Sequence, residues 1–347
     1  MKACTISTRE TSAFCENMAM LLEAGIQVDE ALDLMSTDSM QEPYIDLVQQ
    51  LAAMVREGTS FAQAMVQTQR LPDYAAQMLL VAEETGTLEK TLKQLSAYYD
   101  HEDKLQAQLK SAVIYPTIML GLMALVLGVL VGRVLPTFMQ VYSDLTGDLT
   151  VSSYGYLRAA YVLAWVPLCA VVALAALLCA GLVMARSGAG LAKLVRLAQR
   201  FPVTRGAMLR VAQTRMTGML CVYVASGTDI DTAFRKTTET VDHPQLHTKA
   251  VACIDAMQAG RSLPQAAHEA QLFDMLYTRM LQNGARSGNL ERALSKLTDV
   301  FAQDADMRIR HMINTIEPVL AAVLTVSVGF TLLSVMLPLV GILSAVG

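Results

Sequence analysis

Charge disappears from three stretches of this chain, Ile114–Gly132, Tyr161–Ala185 and Pro318–Gly347. Each comes close to or exceeds the roughly 20 residues that a helix, rising 1.5 Å per residue, needs to cross a hydrocarbon core. The pattern predicts three transmembrane helices. Elsewhere apolar residues recur at helical intervals, as at Met18, Leu21, Leu22 and at Leu88, Leu92, Leu95. No segment alternates apolar and polar positions for long enough to make a strand. The fold class read from the pattern is an all-α membrane protein.

Punctuation divides the soluble part into helices. Ser7-x-x-Glu10 reads as a capping box, Gly25 ends the first helix, and Pro43 suits the first position of another, which stops at Gly58. Ser60 caps the next, Pro72 opens one that ends before Gly86, and Thr87 caps a long final helix leading into the membrane. Six helices result, and the pattern then returns. "LLEAGIQVDEAL" (Leu21–Leu32) comes back as "YVASGTDIDTAF" (Tyr223–Phe234) at an offset of 202 residues. The same offset pairs Gly25 with Gly227, Gly58 with Gly260, Ser60 with Ser262, Gly86 with Gly288 and Glu89 with Glu291. It extends to Pro116 with Pro318 and to Leu135-Pro136 with Leu337-Pro338. Such a register is the mark of duplication.

The charge distribution orients the chain. Arg186, Lys193, Arg196, Arg200, Arg205 and Arg210 stand together without an acidic residue, whereas Ser143–Leu157 carries Asp144 and Asp148 and no base. The positive-inside rule places the first segment in the cytoplasm and the second outside, giving the order in, out, in, out. The first thirty residues are too acidic for a signal peptide, so the amino terminus is expected in the cytoplasm. The expected organisation is a cytoplasmic helical domain at 1–111, a membrane helix at 112–142, an external loop at 143–157, a second membrane helix at 158–185, a second cytoplasmic domain at 186–316 and a third membrane helix at 317–347. Each cytoplasmic domain is long enough for its own small core.

Composition agrees: 53% hydrophobic and 17% charged residues is too apolar for an ordinary soluble enzyme. A net charge of −4 argues against nucleic acid as a partner. The six cysteines form no C-x-x-C pair and read as reduced, packed thiols. No G-x-x-x-x-G-K-[ST] is present, and "SGAGLAK" (Ser187–Lys193) reads as a loop rather than a phosphate cradle. His243 and His247 stand four apart, but Pro244 between them and the lack of further ligands favour a surface pair over a metal site. The three apolar cores contain no ionisable group for an intramembrane protease or a proton-coupled transporter, and Arg133 sits at a helix end, where it can snorkel. No catalytic residue, cofactor or metal is expected.

"LLEAGI", "VDEAL", "REGTSFAQAM", "AEETGTLEKTL" and "VIYPTIML" in the first half resemble the type II secretion protein F family, with its type IV pilus PilC platform proteins and competence ComGB homologues. "YVASGTDID", "AGRSLPQAA", "NGARSGNLERAL" and "TIEPVLAAV" repeat the signature in the second half. Where the family often has Gly-Glu-x-Ser-Gly, this chain has Ala82-Glu83-Glu84-Thr85-Gly86 and Gly284-Ala285-Arg286-Ser287-Gly288, the second without the acidic residue. The chain starts close to its first repeat, as short competence-type members do.

The resemblance implies two repeated cytoplasmic six-helix bundles with three transmembrane helices. It also implies an inner-membrane platform, not an enzyme, that couples a cytoplasmic assembly ATPase to extraction of pilin or pseudopilin subunits. A homo-oligomer working with other membrane components of the machine is expected. Gly25, Gly58, Gly86, Gly227, Gly260 and Gly288 read as helix C-caps. Glu83, Glu84, Glu89, Glu291 and Glu317 are candidate partner contacts, with helix-end charge pairing as the plainer reading. Pro116 and Pro318 are candidate bends at the entry to the membrane. The competing class is a small-solute transporter or another membrane-anchored scaffold, and the lack of charged or broken helices around a midplane favours the platform.

Overall fold

The computed structural model describes residues 6–36, 42–146, 165–166, 168–176 and 202–346, and these are helical with no strand among them. The first series is α1 (Thr8–Glu23), α2 (Val28–Ser36), α3 (Glu42–Arg56), α4 (Phe61–Thr68), α5 (Asp73–Thr85) and α6 (Leu88–Val129). A π turn at Leu130–Val134 leads into α7 (Leu135–Thr146). The second series is α8 (Pro202–Ala225), α9 (Ile230–Glu239), α10 (Pro244–Gln258), α11 (Leu263–Glu269), α12 (Met275–Arg286) and α13 (Leu290–Val346). Each of α9 to α13 begins 202 residues after its counterpart among α2 to α6, from Val28 and Ile230 to Leu88 and Leu290. The duplication is therefore structural to the residue.

Local chemistry sets these boundaries. Ser7 and Glu10 form the expected capping box, with the Ser7 N–H donating to Glu10 Oε2 at 2.8 Å and the Glu10 N–H to Ser7 Oγ at 3.2 Å. Ser60 Oγ accepts from the Gln63 N–H at the start of α4. Helices α1 and α8 both close with a Schellman turn: Ile26 N–H reaches Leu21 O and Thr228 N–H reaches Tyr223 O, each at 3.1 Å. Gly25 and Gly227 sit there at φ of 80° and 81°, a left-handed conformation that glycine enters without steric cost. Pro43 is the second residue of α3, whereas in the repeat the proline stands one place earlier, Pro244 opening α10 at the position equivalent to Glu42. One further pair carries no glycine: Gln69 and Gln271 adopt φ of 51° and 49° at the ends of α4 and α11.

The chain divides into two compact units, Met1–Ala107 with Arg205–Met307, and Gln108–Thr204 with Arg308–Gly347. In the first unit a single buried cluster runs from Ile6 to Phe301 and takes in both series. Phe14 lies 6.4 Å from the Phe61 ring and 6.2 Å from Tyr44 in the first repeat; Phe301 packs 5.4 Å from Phe273 and 4.8 Å from Tyr277 in the second. A separate core for each repeat was expected, and the two cores are instead continuous. The cause is α8. Its counterpart α1 keeps Glu16, Met20 and Glu23 exposed, whereas α8 buries Met216, Gly218, Leu220, Val222 and Tyr223 on all its sides.

In the second unit Leu120, Met123 and Leu127 of α6 pack with Val171, in a helical stretch at 168–176, and with Leu320 of α13. Among the described residues two segments are long and apolar enough to cross a membrane: Ile114–Phe138, with mean hydropathy 2.4, and one within Leu290–Gly329, with mean hydropathy 1.5. Ile118, Leu125 and Val326 stay exposed, as lipid-facing side chains do. Hydroxyls are satisfied within the helix, Ser327 Oγ donating to Val323 O at 2.7 Å and Thr325 Oγ1 to Ala321 O at 2.9 Å. The helical run continues past Arg133, because the π turn lets the Leu135 N–H reach Leu130 O just before Pro136 removes a donor. Helices α6 and α13 continue through Pro116, which is buried, and Pro318, which is exposed. Most of the second expected crossing, the expected external loop beyond Thr146 and the basic run before Pro202 lie outside the described residues.

Candidate functional site

Most of the residues singled out in the sequence fall into two places, helix ends and a seam between the repeats, while Pro116, Glu317 and Pro318 lie inside α6 and α13. The six cap glycines all lie at φ between 70° and 92°, and nothing stands within 4 Å of a Cβ built on five of them. The exception is Gly227, where that Cβ would meet Thr85 Cγ2 at 3.4 Å, across the seam.

Glu83 has an internal task. Its Oε2 accepts the Ala62 N–H at 3.2 Å, so α5 supplies an acceptor to an otherwise unpaired donor in the first turn of α4. This contact explains the missing acid in the second copy. The position equivalent to Ala62 is Pro264, which has no N–H to give, and the position equivalent to Glu83 is Ala285. Helix α11 starts instead on a capping box in which the Ser262 N–H donates to Gln265 Oε1 at 3.2 Å. Donor and acceptor were lost together. Glu84 is exposed, Glu89 is half-buried in the first turn of α6, and Glu317 and Pro318 lie within α13.

Glu291 belongs to the seam. Its carboxylate accepts from Gln94 Nε2 at 3.4 Å and lies 3.7 Å from Lys90 Nζ, both on α6 of the first repeat. Cys221 Sγ on α8 faces Gln94 Oε1 at 3.4 Å, His101 Nε2 lies 3.2 Å from Asp299 Oδ1, and Thr85 Oγ1 donates to Ser226 O at 3.0 Å. The strongest link is a two-pronged pair in which the Arg215 guanidinium grips Glu102, with Nε to Oε2 at 2.8 Å. Burial works against the Arg215 charge, but the Glu102 carboxylate outweighs it and holds the pKa above its ordinary value. Beside it the Tyr98 ring packs where Gly218 leaves space, since a Cβ on Gly218 would come 2.9 Å from Tyr98 Cδ2. The sequence reading missed this seam, although glycine at 218 opposite glutamate at 16 was a visible sign of it.

A buried hydroxyl contact ties the first helix to the last in each repeat. Ser12 Oγ donates to Ser96 O at 3.0 Å, and in the second repeat Thr298, the equivalent of Ser96, donates through Oγ1 to Thr217 Oγ1 at 3.0 Å. Arg210 clamps the second repeat further, reaching Asp304 at 2.6 Å and Asp274 at 2.9 Å while lying 5.4 Å from the centre of the Tyr277 ring.

His243 departs from the expected surface pair. Only His247 is exposed; His243 is buried and caps α10, its Nδ1 accepting the Leu246 N–H at 3.4 Å. Burial first, and then the positive charge of Arg205, push its pKa below 6.5. The unfolded chain therefore takes up a proton that the folded chain refuses, so stability is full above about pH 6.5 and falls as the pH drops below it. His243→Asn keeps a capping acceptor without the titration. Its denaturation midpoint is expected to lose that part of the pH dependence, measured between pH 7.5 and 5; an unchanged profile would remove His243 as the cause.

No group here is arranged for covalent or acid–base chemistry: the buried Cys15, Cys221 and Cys253 have pKa values pushed up to about 12 by desolvation, which keeps them as thiols. The described residues form two similar bodies joined through a polar seam, with α6 and α13 continuing into long apolar segments. The model of the family described as type II secretion system (T2SS), protein F matches residues 14–136 and again 216–338. Similar proteins include a type IV pilus assembly protein PilC of Myxococcus xanthus, 22% identical over 98% of this chain and 82% of its own length. Another is the PilC of Thermus thermophilus, 23% identical over 95% of this chain and 82% of its own. A third is a type II secretion system protein F of Xanthomonas campestris, 24% identical over 96% and 83%. That family consists of membrane platform proteins, not enzymes. With two copies of its domain covering most of the length, at the same 202-residue spacing as the helices, the chain belongs to the type II secretion system protein F family.

Proposed function

We propose that the chain is the inner-membrane platform of a type IV pilus, type II secretion or competence machine, coupling a cytoplasmic assembly ATPase to the extraction and assembly of pilin-like subunits. The observation that carries this reading is the continuity of α6 and α13, each running without a break from a soluble helical body into an apolar, exposed segment. A push delivered to the first unit has a stiff path to lipid along both helices, and Pro116 and Pro318 mark equivalent points on it. Relatives named for pilus assembly and for type II secretion support the same assignment.

The test is association with the motor. Purified full-length protein in nanodiscs should turn over no ATP, yet retain an assembly ATPase from the same organism and raise that enzyme's turnover. ATP hydrolysis by motor-free protein, or failure to retain the motor, rejects the reading. The proposed topology is in, out, in, out with the amino terminus in the cytoplasm. A cysteine at Asp148 should then react with an impermeant thiol reagent on intact cells, and cysteines at Glu57 and Lys249 only after permeabilisation. External labelling at Glu57 would refute that order.

A further inference from the structure

The contact between the two repeats is heterologous: the face that the first repeat offers differs from the face that the second receives with. Helix α6 presents Lys90, Gln94, Tyr98 and Glu102 to a surface made by α8 and α13, where Arg215, Gly218, Cys221 and Glu291 lie. A two-fold contact would repeat each pairing with the roles exchanged, and none of these is repeated. Thr85 touches Gly227, for example, whereas nothing stands within 4 Å of a Cβ on Gly25, the equivalent of Gly227. One presenting face and one receiving face are consequently left open.

The open presenting face is on α13. Shifting Lys90, Gln94 and His101 by 202 positions gives Arg292, Lys296 and Gln303, all exposed. The open receiving face is on α1 and α6 of the first repeat. Shifting Gly218, Val222 and Glu291 back gives Glu16 and Met20, which are exposed, and Glu89, which is half-buried. Met20 is 58% exposed, although Val222 at the same place in the repeat is 1% exposed. Arg292 and Lys296 on the presenting face are complementary in charge to Glu16 and Glu89 on the receiving one, and Asp304, the equivalent of Glu102, is already held by Arg210. Among the described residues Glu16, Glu89, Arg292 and Lys296 make no ion pair.

We propose that a second copy of this chain docks head to tail, its α13 face with Arg292 and Lys296 seated on the α1 and α6 face with Glu16, Met20 and Glu89. Arg292 then meets Glu89 as Lys90 meets Glu291 inside one chain. Contacts along α6 and α13 ascend together, Lys90 with Glu291 and His101 with Asp299, so the two helices run parallel. Repeating the same step keeps the long helices of every copy pointing one way, as copies sharing a membrane require. Glu16 in place of Gly218 bars the close approach of the internal seam, so the joint between copies is looser and salt-sensitive. The proposal stands independently of which machine the chain serves.

The test uses two differently tagged full-length chains produced together in cells, one Glu89→Cys and the other Arg292→Cys, treated with a short bis-maleimide. The mixture is expected to give a two-tag dimer at about tenfold the background of the parental chain, with neither variant alone exceeding that background. Cross-linking of either variant with itself would show a two-fold face and overturn the proposal, as would no product in any sample. Charge exchange supplies a second readout that needs no cross-linker. Glu89→Lys in every copy should weaken self-association about tenfold by like charge against Arg292, and mixing with an Arg292→Glu chain should restore it. Association indifferent to both changes overturns the proposal.

Discussion

Gly218→Glu, which installs the residue that the equivalent position 16 carries, is expected to lower the thermal midpoint of the detergent-solubilised protein by roughly 10 °C. Two effects add. A Cβ at 218 would stand 2.9 Å from Tyr98 Cδ2, and Tyr98 is backed by the Tyr99 ring at 5.4 Å and the Tyr74 ring at 6.2 Å, so it has little room to retreat. Overpacking of this kind costs about 1–3 kcal/mol. The carboxylate would also enter a face that holds Glu102 and Glu291 already, and burying it unpaired brings the total to about 4 kcal/mol. For a body of this size each kcal/mol corresponds to roughly 2–4 °C. Opening of the seam is read separately at Cys221, 2% exposed in the native state, by residue-resolved thiol labelling. A variant with the parental midpoint and a protected Cys221 would mean that the seam does not hold the repeats together.

Gly284→Ala is the second large effect, about 2 kcal/mol of destabilisation despite the better helix propensity of alanine. A Cβ there would fall 2.3 Å from Ala293 Cβ and 3.3 Å from Asn289 O, so α12 and α13 must part. The first repeat has Ala82 at this position and Thr91 at the position of Ala293, both fully buried. Ala293→Gly should recover part of the loss and leave a remainder, because the Asn289 carbonyl stays where it is. A double-mutant cycle on the denaturation midpoint measures this coupling. Full stability of Gly284→Ala alone would contradict the packing described.

Helix ends were legible because the forces that set them act over three or four residues. Ser7 with Glu10, Ser60 with Gln63 and the glycines after α1, α3 and α5 are where their chemistry predicts. The left-handed turns at Gln69 and Gln271 escaped notice, since glutamine carries no signal for that conformation and only the following helix, held by the core, imposes it. His243 was read as half of a surface pair because Pro244 stands beside it and no further ligands follow. Its burial follows from packing that neither residue announces.

The candidate residues divide along the same line. Glu83, thought of as a partner contact, serves the first turn of α4, and the reason its counterpart is alanine appears only when Pro264 is seen in the donor's place. Glu291 and Glu89 are the same residue in sequence terms, yet one is held by Lys90 and Gln94 and the other is open.

The sequence by itself determined the helices, the 202-residue duplication, the apolar segments and the family, because periodicity, caps and hydropathy are properties of neighbouring residues. Only the tertiary structure decided that the two repeats share one core and meet through unlike faces. That choice depends on residues more than a hundred positions apart, Glu102 with Arg215 and Tyr98 with Gly218, whose proximity no local pattern encodes.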